Sequence, residues 1–206
     1  MINLKLPMKE QLTLSNVMRY FHIAEASKKN AENLTAQINE ILKEENNPNK
    51  LVEYASSAEN EVIISIVFSV MTLEAFINEY GIKHTSKTYF KNHLDNLKLI
   101  SKFIIIPKLT NDLEIENGNK EFENLKWLLN LRNEIVHYKN RIVDVKQIDM
   151  TNPINQKNFL QKEHAQKAIN TVREIIKIID PNLYVFIDEK TYYNVFQEKK
   201  KTKKKY

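Results

Sequence analysis

Apolar residues recur at three- and four-residue spacing along most of the chain: Leu14, Val17, Met18 and Phe21, then Leu34, Ile38, Ile41 and Leu42. That period predicts a long amphipathic helix, opened by Pro7 and the Thr13/Ser15 region and closed by Asn46-Asn47-Pro48. A second helix is expected from about Leu51 to Tyr80, with Gly81 as its C-cap. Between Val62 and Ile77 the apolar side chains of this helix point in every direction, the pattern of a helix buried at the centre of a bundle. The spacing predicts a third helix over Lys87 to Ile106, ended by Pro107, then a loop from Thr110 to Lys120 around Asn117-Gly118-Asn119. A fourth helix starts near Lys120 and turns Phe122, Leu125, Leu128, Leu129 and Ile135/Val136 toward the core. Residues 139–160, with Asn152-Pro153 inside, form a connection, with a short extended piece at Arg141 to Val145. The fifth helix runs from Gln161 to Ile179 and is stopped by Asp180-Pro181. The Tyr-, Phe- and Val-rich segment Leu183 to Phe196 is open to three readings: a strand, a short helix or an interface.

Only two glycines and five prolines interrupt 206 residues dominated by Leu, Ile, Lys, Glu and Asn, so the fold class expected is all-α. The length suits a single domain over residues 1–198. No cysteine is present, which excludes a disulfide framework and a thiolate metal site and fits a reducing compartment. Met1 to Pro7 lacks the apolar segment of a secretory signal. The run Val62 to Ile77 is broken by Ser65, Ser69, Thr72 and Glu74 and falls short of the roughly 20 residues of a membrane span, so a soluble, cytoplasmic protein is expected. The net charge of +5 is confined to one place. Lys199, Lys200, Lys201, Lys203, Lys204 and Lys205 hold six of the 31 basic side chains, leaving 25 against 26 acidic ones over residues 1–198. Residues 199–206 are therefore expected to be a disordered basic tail, able to add salt-dependent RNA affinity without sequence preference.

Chemistry concentrates in Leu131-Arg132-Asn133-Glu134-Ile135-Val136-His137-Tyr138. Arginine is a permanent cation whose planar fork suits phosphate, and histidine exchanges a proton near neutral pH, the two functions that phosphodiester cleavage without a metal requires. On a helical wheel Arg132 falls among Leu125, Leu128, Leu129 and Val136, so its charge must be answered nearby. Glu74 poses the same problem between Ile63, Val67, Val70 and Met71, with Asn78 one turn along the same face. The economical expectation is that Glu74 and Asn78 face Arg132 and Asn133 in a charge-assisted pair; the same pair would also serve a purely structural role. His137 lies about 140° round and roughly 7.5 Å along an unbroken helix from Arg132. The two would grip one small ligand only if the helix distorts, or if a second subunit completes the site across a two-fold axis. His84 and His93 are nine apart with no acidic ligand pattern, and His22 and His164 are isolated, so no metal site and no cofactor is expected. No Walker loop, dinucleotide fingerprint or nucleophile elbow is present.

The segment from Arg132 to His137 resembles the R-x(4–6)-H signature of the HEPN superfamily, with a polar residue directly after the arginine. Leu73-Glu74-Ala75-Phe76-Ile77-Asn78-Glu79 is similar to the acidic, polar-marked earlier helix of that superfamily, and both stretches lie in a helical block of about residues 51–180. The resemblance implies an up-down bundle of four to five helices, dimerised so that two Arg/His motifs form one cleft, and metal-independent RNA cleavage of the kind found in toxin–antitoxin and phage-defence nucleases. Carried over residue by residue, Arg132 would stabilise the phosphorane, Asn133 would support it, His137 would act as general acid or base, and Glu74 would orient Arg132, with Asn78 and Tyr138 in supporting positions. In HEPN toxins paired with a nucleotidyltransferase antitoxin, a tyrosine stands two residues after the histidine. Here Tyr138 follows at once and position 139 is Lys, so control by tyrosine modification is not supported. The expected partners are RNA, a second copy of the chain, and an antitoxin or other defence protein. The alternative is a catalytically inactive HEPN-like module that binds a protein or RNA, with Arg132 and Glu74 as a buried structural pair.

Overall fold

A computed structural model describes residues 16–44, 48–115, 118–137 and 160–187 of the chain. Every described element is helical: α1 (Asn16–Glu44), α2 (Pro48–His84), a short α3 (Lys87–Tyr89) that passes into a π-turn over Phe90–Leu94, α4 (Leu99–Asn111), α5 (Lys120–Val136), α6 (Lys162–Ile179) and α7 (Pro181–Ile187). The all-α expectation therefore holds. The predicted extended piece at Arg141 to Val145, and the tail, lie outside the described residues.

The two longest helices form an antiparallel pair. Ile38 shares a cluster with Leu51, Ala55 and Ala58, Asn30 bonds Glu61, and the rings of Tyr20 and Phe68 meet at 5.8 Å, so α1 descends as α2 ascends. At 1.5 Å per residue α2 is about 55 Å long. One broad face of its middle is buried, with Val62, Ile66, Val70, Leu73, Phe76 and Ile77 within the core, while Ile64 is 37% exposed and Glu74 open to solvent, so, against the expectation, the helix is not enclosed all round. From Asn49 to His84 this helix is long and apolar enough to cross a membrane, further than the count from Val62 to Ile77 suggested, and half of its most apolar stretch is covered by the rest of the molecule. That cover comes from α1 and from α6, whose Ala168, Ile169, Val172, Ile175, Ile176 and Ile179 form one buried stripe. Pro181 does not merely stop α6. It opens α7, where the Asp180 carboxylate accepts from the backbone N–H groups of Asn182 and Leu183 at 3.1 Å.

Three boundaries differ from the sequence expectation: the end of α2, the division of the next helix, and the end of α4. Gly81 is not a C-cap: α2 continues through it to His84. A Cβ at this position would stand 2.7 Å from the ring of Phe90 and 3.2 Å from Ile106, so glycine is there to let the π-turn and α4 approach α2. The predicted helix over Lys87 to Ile106 is likewise divided. Ser86 caps α3, with its Oγ accepting from Tyr89 N–H at 3.1 Å, and the chain turns again at Asp95 to Lys98 before α4 begins. Asp and Asn favour such turns because their side chains compete for nearby backbone groups. Pro107 sits inside α4 rather than ending it. The helix ends at Asp112, whose left-handed backbone (φ 54°) returns its N–H to the Pro107 carbonyl. Lys108 bridges Asp112 and Glu114 there, and these carboxylates hold its ammonium above the ordinary lysine range.

Candidate functional site

The break at Asp95 to Lys98 brings the N-terminus of α4 against the middle of α2 and the second half of α5. Between them lies a cleft of about 510 Å³. Val70, Leu99, Ile100 and Leu129 supply its apolar lining, and Asn130 and Asn133 its amides. Three cations, Lys98, Lys126 and Arg132, face a single carboxylate, Glu74. Lys126 is engaged by Glu123 at 3.1 Å and lies over the Phe122 ring. Lys98 is the N-cap residue of α4, and no side chain caps that first turn. The exposed positive end of the helix dipole therefore adds to the cationic character of the cleft.

Phe122, Leu125 and Leu128 anchor α5 in the core as predicted, while Val136 is 51% exposed and does not belong to the buried stripe. Arg132 is consequently only half-buried. Its Nη1 donates to Asn133 Oδ1 at 3.2 Å, and its Nε–H is buried without a hydrogen-bond partner among the described residues.

The expected pair between Glu74 and Arg132 is not formed. Glu74 is exposed rather than embedded, because the wheel position that looks internal on α2 opens into the cleft, and it makes no ion pair among the described residues. Nor does Asn78 face Arg132 and Asn133. Its Oδ1 accepts from Lys102 Nζ at 2.8 Å. Lys102 is the charged group that this part of the fold encloses, at 4% exposure, with Asp95 at 3.9 Å and the Phe90 ring beneath it. Sequence reasoning missed Lys102, although a single lysine within Leu99-Ile100-Ser101-Lys102-Phe103-Ile104-Ile105-Ile106 was the available signal. Lys98, Lys126 and Asn130 were missed as well, since nothing local marks a lysine or asparagine as facing a cleft.

His137 is exposed and forms the C-cap of α5, with its N–H bonded to the Asn133 carbonyl at 2.9 Å. The helix is thus unbroken from Arg132 to Val136 and does not distort to bring the two residues together. The structure gathers Arg132, Asn133 and Glu74 in one cleft and leaves His137 one turn beyond its lining, while Tyr138 lies outside the described residues. Among the described residues no group of three or more His, Asp or Glu side chains is set to hold a metal ion. The arrangement suits anion binding: three cations and the N-terminus of α4 line a partly apolar hollow. Compared with known proteins, the chain matches no family model, no curated protein and no solved structure, so the chemistry of this cleft rests on its own residues.

Proposed function

We propose that the protein is a metal-independent endoribonuclease of HEPN type, acting as a cytoplasmic homodimer in toxin–antitoxin or phage defence. The observation that carries this reading is Arg132: a half-buried guanidinium lining a cationic cleft, with no carboxylate closed on its fork among the described residues. A permanent cation held this way stabilises negative charge that develops on a phosphate during reaction. The accessible His137, on the same helix, supplies proton transfer. The substrate's 2′-hydroxyl loses its proton to a general base and attacks the adjacent phosphorus. The 2′-O–P bond forms as the P–O5′ bond breaks, and the departing O5′ takes a proton from a general acid. The products are a 2′,3′-cyclic phosphate and a 5′-hydroxyl.

Because α5 stays regular between Arg132 and His137, the reading requires two α5 C-termini to meet across a two-fold axis. The test is cleavage of single-stranded RNA by the purified chain. Parent protein should cut in the presence of EDTA and spare 2′-deoxy substrates, and His137→Ala should abolish cleavage while helicity and dimerisation persist. A parent that leaves varied RNAs intact, or that is monomeric at micromolar concentration, removes the ribonuclease reading. The inactive binding module then becomes the better account, and one observation already favours it: His137 does not line the cleft that holds Arg132.

A further inference from the structure

Glu74 is the one carboxylate among the described residues that line the cleft. A hollow shaped only for phosphate gains nothing from a carboxylate, which repels the ligand, and Glu74 makes no ion pair among the described residues that would neutralise it. An ionised carboxylate only accepts hydrogen bonds, through two oxygens side by side. A ligand that engages both of these oxygens carries two adjacent N–H donors, and the cations of the same cleft favour negative charge elsewhere on it.

Among nucleotides that requirement singles out one base. The Watson–Crick edge of guanine presents N1–H and the exocyclic amino group next to each other. Adenine and cytosine present one amino group beside an acceptor nitrogen, which would face a carboxylate oxygen unfavourably, and uracil presents one N–H between two carbonyls. The rest of the cleft fits the same ligand. Val70, Leu99, Ile100 and Leu129 offer apolar contact for the faces of a base. Asn133 uses its Oδ1 to accept from Arg132, which leaves its amide N–H groups able to donate to a base acceptor. Lys98, Arg132 and the uncapped first turn of α4 supply the cationic side for the phosphate. The volume of 510 Å³ falls within the ~300–1,000 Å³ range of small-molecule sites.

We propose that this cleft is a guanine-nucleotide subsite, in which Glu74 reads the base edge while Lys98 and Arg132 hold the phosphate. The inference rests on the ribonuclease reading only in making this nucleotide a neighbour of the cut; binding itself does not involve His137. Glu74 is then a specificity-determining residue and not the counter-ion of Arg132.

The experiment is calorimetric titration of the full chain with 5′-GMP, 5′-AMP, 5′-CMP, 5′-UMP and inorganic phosphate, repeated on Glu74→Gln and His137→Ala. GMP should bind at least about tenfold more tightly than the other nucleotides, the ratio that charge-assisted hydrogen bonds to an otherwise unpaired carboxylate provide. Glu74→Gln should erase that preference with the circular dichroism spectrum unchanged, and His137→Ala should retain it. Equal binding of all four nucleotides would make the cleft a phosphate site and overturn the proposal, as would absence of binding by any of them or a guanine preference that survives Glu74→Gln. RNA left uncut while GMP binds selectively would sink the ribonuclease reading alone. Cutting without preference for guanosine beside the cleaved bond would sink the subsite alone.

Discussion

Two half-buried arginines in this molecule meet the same problem in different ways. Arg173, on α6, donates through Nη2 to the Glu25 carboxylate of α1 and lies against the Phe21 ring, so the seam between α1 and α6 closes on its charge. Arg132, on α5, shares a cleft with Glu74, but the carboxylate stays apart and Arg132 turns instead to its neighbour Asn133. Each guanidinium keeps a buried Nε–H without a partner among the described residues, so that feature does not separate them. What separates them is whether a carboxylate has closed on the fork. Where it has, the arginine ties two helices together; where it has not, the cation is left facing a hollow that an outside anion can enter.

The strongest way to break this comparison is to remove each fork in turn. Arg132→Met should lower RNA cleavage by about 10²–10³-fold, the cost of deleting one preorganised donor to a developing oxyanion, with little change in melting temperature. A parallel loss of folding would return Arg132 to a structural role. Arg173→Met should do the reverse, leaving cleavage intact and costing about 1–2 kcal/mol by chemical denaturation. That lies below the usual figure for a broken buried pair, because the two side chains keep 27% and 21% of their exposure.

The approach of α4 that closes the cleft is tested by Gly81→Ala. Helix propensity alone would reward this change by about 1 kcal/mol. Crowding against Phe90 and Ile106 should outweigh that gain and give a net loss on the order of 1 kcal/mol. A more stable variant would show that the contact yields easily. The smallest effect belongs to Glu74→Gln, which should move stability by no more than about 0.5 kcal/mol, as expected of an exposed side chain without an ion pair. A loss of several kcal/mol would mean that Glu74 and Arg132 are energetically coupled after all.

Most of the helical order was legible from spacing, and so was the core position of α2, though not that one side of it stays open at Ile64 and Glu74. The hidden details cluster around α3 and α4. Here a lysine is enclosed while Ile104, Ile105 and Leu109 face outward, so a rule that turns apolar residues inward misplaces the helix. Lys102 tolerates enclosure because Asn78, 24 residues earlier in the chain, meets its ammonium. Gly81 misleads for a similar reason: a glycine near the end of an apolar run suggests a cap, but its purpose is set by Phe90 and Ile106 arriving from other elements. The candidate site divides in the same way. Arg132, Asn133 and His137 stand out because their spacing is local, whereas Lys98, Lys126 and Asn130 acquire meaning only when α4 docks beside α5.

The sequence by itself determined that this chain is helical, that Arg132 and His137 could not grip one small ligand on an undistorted helix, and that the excess positive charge is confined to residues 199–206. These follow from backbone hydrogen bonds and side-chain spacing within a few residues, which depend on no distant partner. Only the tertiary structure decided which charge is enclosed, which carboxylate stands open, and where a cleft forms. Those outcomes depend on how closely α2, α4 and α5 approach, and burial and electrostatic pairing respond to that distance far more than to the identity of any one residue.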